Sequence, residues 1–137
     1  MAGPVIITGF RPFPGVDVNP SAVLIESLRD SPLPEPPIST RLLDTVYDRM
    51  ADRIDALLKR EPSALIMTGY SSLARGLKIE TRATSRFTRA HADANGLIPE
   101  ESRDPVTTAP NLAIDFPFLV NILRAADLPA ALSQDAG

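Results

Sequence analysis

Two apolar runs that end alike constrain this chain more than any other feature: Val5-Ile6-Ile7-Thr8 closes on Gly9, and Ala64-Leu65-Ile66-Met67-Thr68 closes on Gly69. A short aliphatic run bounded by glycine has the pattern of a strand buried on both faces, its C-terminal end opening into a loop. Strands are therefore predicted over 4–8 and 64–69, and their common ending points to a shared rim between parallel neighbours. After the first, Asn19-Pro20-Ser21 supplies a cap and a proline at the first helical position, with Ala22, Leu24, Ile25 and Leu28 at helical spacing. A helix over about 20–30 follows. Pro32, Pro34, Pro36 and Pro37 make a surface connection, and Ile38 to Leu43 reads as a second strand. Val46, Met50, Ile54 and Leu57 line one face of a helix running to about Arg60. Its Asp48, Asp52, Asp55, Arg49 and Arg53 read as a solvated face with local ion pairs.

Leu77 to Arg82 alternates apolar and charged residues, as a half-exposed edge strand does. Residues 85–110 are polar and turn-rich, including Asp93-Ala94-Asn95-Gly96, and read as a long excursion. Ile114 to Ala126 predicts a helix with Pro117 in its first turn and Phe118, Leu119, Ile122 and Leu123 inward; Leu128 to Ser133 predicts a last short strand. The order βαβαβ, edge β, αβ implies an α/β fold: an open, mostly parallel sheet with helices on both faces and ligands at the C-terminal ends of the strands. With 137 residues, 44% of them apolar, a single domain (1–137) with a real core is expected.

Composition removes several function classes. Fourteen basic against 17 acidic residues, a net charge of -3, leaves no basic footprint for nucleic acid. The absence of cysteine excludes disulfides, thiolate metal sites and a cysteine nucleophile among these residues, and the one histidine, His91, excludes a multi-imidazole zinc site. No metal or cofactor is expected. No apolar run approaches the roughly 18–20 residues that cross a bilayer, and no charged segment leads into one at the start, so no membrane partner and a cytoplasmic location are expected.

The residues that could carry chemistry gather after the strands. Gly9-Phe10-Arg11-Pro12-Phe13-Pro14-Gly15 sets two phenylalanines three apart in a proline-stiffened loop, either as a flat apolar surface for a small ring or acyl group or as packing onto the helix below. It lacks the glycines of a phosphate cradle. Gly69-Tyr70-Ser71-Ser72-Leu73 lacks the closing glycine of a nucleophile elbow. Arg75, Lys78, Arg82, Arg86 and Arg89 either hold a carboxylate or form a solvated loop face. Period two puts Lys78, Glu80 and Arg82 on one face, where Glu80 is either a cross-strand ion-pair partner or a carboxylate orienting a base. His91 reads as incidental.

Taken together, Thr8-Gly9-Phe10-Arg11-Pro12-Phe13 with Asn19-Pro20-Ser21, Leu42 to Val46, Gly69 to Glu80, Asp93-Ala94-Asn95-Gly96 and Ser133-Gln134-Asp135-Ala136-Gly137 resemble the pyroglutamyl-peptidase I (pyrrolidone-carboxylate peptidase) family of cysteine peptidases. The resemblance implies a three-layer α/β/α sandwich around an open, mostly parallel twisted sheet. It implies an enzyme that removes N-terminal pyroglutamyl residues from peptides with a cysteine nucleophile, a histidine base and a glutamate that orients the histidine. Glu80 takes the glutamate's position, Phe10 and Phe13 fall where the lactam ring is sandwiched, Asn19 where the site is held, and Thr45 and Tyr70 at pocket-lining positions. N-terminally pyroglutamylated peptides are the implied partners, and homo-oligomer formation stays open. Pro14, Ser72, Leu73 and Ala74 depart from the family's glycines and arginine, and Arg89 and His91 are out of register with its later arginine. In the family the Ser-x-x-Ala-Gly segment leads to the cysteine, so residues 1–137 are expected to be the N-terminal portion of such an enzyme, inactive alone. The alternative is a non-catalytic lactam- or peptide-binding protein.

Overall fold

The structure, a computed structural model, describes residues 3–30, 37–84, 92–98, 100, 108–110 and 113–134. They fall into two compact units, one of residues 1–70 with 91–99 and the other of 71–90 with 100–137.

The first unit is built on β1 (Val5–Phe10), which lies between β2 (Ile38–Leu43) and β3 (Ala64–Met67), all parallel. β1 runs two residues beyond the predicted 4–8 because Gly9 and Phe10 stay in register with Leu42 and Leu43, so Phe10 ends a strand and does not sit in the loop. The helix α1 (Pro20–Arg29) starts where Asn19 caps it and packs on β1 and β2 through Ala22 and Ile25, while Leu24 faces outward. The approach is close: a Cβ on Gly9 would meet the Ser21 carbonyl oxygen at 2.5 Å and Ile25 Cγ1 at 2.8 Å, so only glycine fits. Ile6, Thr8, Asn19 and Ile25 are fully enclosed there. Burying an isoleucine side chain contributes roughly 1.5–3 kcal/mol.

The helix α2 (Tyr47–Leu58) buries Leu57 and half-buries Met50 and Ile54, the predicted face. β3 departs from expectation. It stops at Met67, Ile66 and Met67 stay 47% and 49% exposed, and the strand pairs on one side only among the described residues.

In the second unit the predicted 77–82 strand is two strands. β4 (Leu77–Glu80) runs parallel to β7 (Ala130–Ser133), the ladder is interrupted at Thr81, and β5 (Arg82–Thr84) pairs antiparallel with β6 (Thr108–Pro110). Thr81 makes the junction by donating both its N–H (2.9 Å) and its hydroxyl (3.0 Å) to the Ser133 carbonyl. Arg82 is thereby separated from Lys78 and Glu80, and β6 shows that the excursion is not all loop. The helix α3 (Phe116–Ala125) is capped by Asp115, whose side chain accepts from the Phe118 N–H at 3.0 Å. Its inward line is Phe116, Leu119, Val120 and Leu123; Phe118 and Ile122, expected inside, are exposed. The helix is apolar nearly all round, so periodicity did not single out its buried side. Among the described residues no helix is long and apolar enough to cross a membrane.

Candidate functional site

Five of the six residues singled out from the sequence belong to the first unit, and the geometry there starts from Asn19. Its side chain is 2% exposed. Oδ1 accepts from the Ser21 N–H (3.0 Å) and hydroxyl (2.7 Å), Nδ2 donates to the Arg11 carbonyl (3.5 Å), and Ser21 Oγ in turn accepts from the Phe10 N–H (2.9 Å). Asn19 therefore ties the end of β1 to the start of α1 with its polar atoms committed, which is a holding role and not an exposed contact. Phe10 leaves β1 half-buried, its ring 3.9 Å from where a methyl on Gly69 would stand, beside the chain that continues to the half-exposed Tyr70.

Beyond Arg11 the loop is a small hairpin. Phe13 and Val16 exchange backbone hydrogen bonds at 3.2 and 2.8 Å, and Gly15 takes φ +87° after Pro14, as the second central position of a type II turn requires. The Pro-Gly pair in the sequence carried this signal. The hairpin forms one wall of an open depression of about 350 Å³ lined by Pro12, Phe13, Pro14, Val16, Asp17 and Ala94.

The facing wall depends on Asp93, which the sequence marked only as part of a turn. Asp93 is buried, and its Oδ1 accepts from Asn95 N–H (2.9 Å) and Leu97 N–H (2.8 Å) while Oδ2 accepts from Tyr47 N–H (3.1 Å). Burial pushes this carboxyl up, but the N–H groups of Leu97, Tyr47 and Asn95 outweigh it and hold the group below its ordinary 3.8. The turn it organises, with Gly96 at φ +80°, lets the Ala94 N–H donate to the Thr45 carbonyl at 2.7 Å. Asp93 thus clamps the Ala94 wall onto the β2–α2 junction. In that junction Thr45 Oγ1 is buried with no hydrogen-bond partner among the described residues, as is Thr8 Oγ1. A buried hydroxyl left unpaired costs about 1–3 kcal/mol, and the Thr45 hydroxyl is enclosed and is not part of the depression's lining.

Glu80 lies in the second unit, exposed at the C-terminal end of β4 and in register with Ser133 at the same end of β7. A second open depression, about 300 Å³ and lined by Arg75, Leu77, Lys78, Pro129, Ala130 and Ala131 among others, is at the opposite ends of these strands. Arg75, Lys78 and Arg82 form no ion pair among the described residues; Arg86, Arg89 and His91 lie outside them. Among the described residues no cluster of histidine, aspartate and glutamate could hold a metal ion.

Comparison with known proteins brings these features together. The family model described as pyroglutamyl peptidase matches residues 4–137. The pyrrolidone-carboxylate peptidase of Thermococcus onnurineus is 28% identical over 138 residues, covering 97% of this chain and 68% of its own length. Pyrrolidone-carboxylate peptidase 1 of Ralstonia nicotianae is 32% identical over 140 residues, covering 97% and 63%. Among solved structures, the pyrrolidone carboxyl peptidase of Fervidobacterium islandicum superposes with a TM-score of 0.86 at 23% identity, covering 97% of this chain and 65% of that one. Pyroglutamyl peptidase I of Bacillus amyloliquefaciens does so with 0.82 at 25% identity, covering 98% and 67%. These structures share the α/β fold of this chain, which spans between 63% and 68% of the length of the curated relatives it matches.

Proposed function

The chain belongs to the pyroglutamyl peptidase family, and on that footing we propose that its first unit recognises the N-terminal pyroglutamyl ring of peptides, as the binding part of a peptidase that removes that residue. The observation that carries this reading is the open depression lined by both Phe13 and Ala94, with Ala94 held to the Thr45 carbonyl. A pyroglutamyl lactam is flat, apolar on its faces and hydrogen-bonding at its edge. Phe10 and Phe13 supply aromatic surface for the faces and Tyr70 a further wall, Asn19 holds Phe10 in place, and Thr45 holds Ala94 through its backbone carbonyl.

In the peptidase reaction a thiolate attacks the pyroglutamyl carbonyl, an imidazole protonates the leaving amine, and a carboxylate keeps that imidazole in its working tautomer. Glu80 is our candidate for the carboxylate. Its register with Ser133 supports this, because by resemblance the strand carrying Ser133 leads toward the family's cysteine. The 137 residues contain no thiol, so this chain by itself binds without turning over. A non-catalytic lactam-binding protein is the second reading. The two part on the intact mass of the protein purified from its own cells: a larger, cysteine-bearing product supports the peptidase, a 137-residue product the binder.

The test of recognition compares a pyroglutamyl tripeptide with a counterpart whose lactam is replaced by an uncharged cyclopentane ring, by NMR titration of the 137-residue chain. Binding of the first alone, weakened on the order of tenfold by Phe13→Ala, is expected. Equal binding of the two peptides, or no effect of Phe13→Ala, would sink the assignment.

A further inference from the structure

The depression's two walls are referred to one short stretch of chain, and Asp44 stands at its centre. On one side Thr45 receives the Ala94 N–H that carries the Asp93 turn. On the other, the Phe13 hairpin is closed on itself through Val16, and the bonds seen from it to the rest of the unit converge on Arg11. The Arg11 N–H donates to the Leu43 carbonyl at 2.9 Å, its carbonyl accepts from Asn19 at 3.5 Å, and its guanidinium donates to Asp44 Oδ1 at 3.1 Å. The other carboxylate oxygen, Oδ2, lies 3.4 Å from Arg53 Nη2 on α2.

Resting on the lactam reading above, we propose that Asp44 is a positioning residue for pyroglutamyl recognition: braced by Arg53, its carboxylate holds Arg11 and so fixes the Phe13 hairpin opposite Ala94. Each oxygen serves one guanidinium, so α2 keeps the carboxylate aimed at the hairpin. The Arg11 and Asp44 side chains are partly exposed, 52% and 37%, and exposed pairs add little to fold stability. Their effect is therefore on preorganisation. A hairpin already held in its binding position loses less entropy when the ligand arrives, and because the anchor is ionic and solvent-facing, salt weakens it.

The experiment uses the 137-residue chain, a pyroglutamyl tripeptide as probe, and amide hydrogen exchange over residues 13–17 of the free protein. Asp44→Ala should raise Kd about two- to fivefold at low ionic strength, with the difference vanishing near ~1 M salt. It should speed exchange in the hairpin and leave the melting temperature unchanged, while Asp44→Glu retains most of the affinity. Wild-type Kd, salt dependence and hairpin exchange in Asp44→Ala would overturn the proposal. If the wild-type chain binds no pyroglutamyl peptide, the lactam reading fails by itself, and hairpin exchange still decides whether Asp44 holds the loop: faster in Asp44→Ala supports the clamp, unchanged exchange overturns it.

Discussion

The first unit carries a core of its own, and the second carries little of one. Ile6, Thr8, Asn19 and Ile25 are fully enclosed around β1, with Leu43, Val46 and Leu57 nearly so. In the second unit only Val120 and Ala130 are buried apolar residues among those described, while Leu73, Leu77, Phe118, Ile122, Leu128 and Leu132 stay exposed. The contrast separates two kinds of site. The residues proposed for recognition sit on or next to an enclosed core, whereas Glu80 sits on a two-stranded parallel ladder backed by one helix. Aromatic walls must be held to a fraction of an ångström to match a rigid ring, which is what an enclosed core supplies.

The sharpest way to break this comparison is to truncate one apolar side chain in each unit, an enclosed one in the first and an exposed one in the second. Ile25→Ala should cost about 2–5 kcal/mol in chemical denaturation and abolish pyroglutamyl-peptide binding at temperatures where the wild type binds. Phe118→Ser, on the exposed side of α3, should change stability by less than about 0.5 kcal/mol. Equal losses from the two would mean that the second unit has a core that the burial pattern does not show.

Asn19→Ala comes next. It strips the cap from α1 and leaves the Ser21 and Arg11 groups without their partner, at a cost of about 1–3 kcal/mol, and Phe10 should lose its fixed backbone position. An unfolding curve and a peptide titration on the same sample would show both effects, and a stable variant with wild-type affinity would contradict the holding role.

Acid sharpens the comparison further. The Asp93 carboxyl titrates lower in the folded than in the unfolded chain. The stability it contributes is therefore complete above about 3.8, the unfolded value, and is lost as pH falls through the lower folded value. Amide protection at Asn95 and Leu97 should disappear through that range in the wild type, and Asp93→Asn should remove the pH dependence there while β4 and β7 follow the wild-type course. A pH-independent wild-type turn would show that the carboxylate is not the clamp.

The smallest effect is expected at Glu80. Glu80→Gln, at an exposed position, should leave stability within about 0.5 kcal/mol and pyroglutamyl-peptide affinity unchanged in the 137-residue chain, because recognition belongs to the other unit. A weakened titration with Glu80→Gln would place the carboxylate in binding as well.

How far the sequence could be read depended on how local each signal was. The Asn19-Pro20 start of α1, the bounds of β2 and the buried face of α2 were all legible, since caps, proline and periodicity act within one or two turns. The end of β1 was not: glycine after a β-branched run looks like a stop, and only pairing with Leu43 keeps Gly9 and Phe10 in the strand. β3 looked doubly buried because an aliphatic run says nothing about what covers the two faces of the strand. Phe10 and Phe13 were singled out from the run after the first strand, and Asn19 as a helix cap with a site role only by resemblance; Asn19 spends its polar atoms on Ser21 and Arg11. Asp93 was visible as a turn residue, since aspartate before Asn-Gly bonds its own backbone two residues on. Its bond to Tyr47 was invisible.

By itself, then, the sequence determined the βαβαβ order of the first unit, the mostly parallel α/β class, the capped start of α1 and the residue types available for chemistry within these 137 residues. These follow from local propensity and composition. Tertiary structure alone decided which face of α3 is buried, where the strand after Leu77 divides, and how the depression is walled. Those outcomes rest on contacts between residues far apart in the chain, such as Asp93 with Tyr47 and Arg11 with Asp44, and the free energy of such a contact depends on the geometry that brings its partners together, which no local pattern encodes.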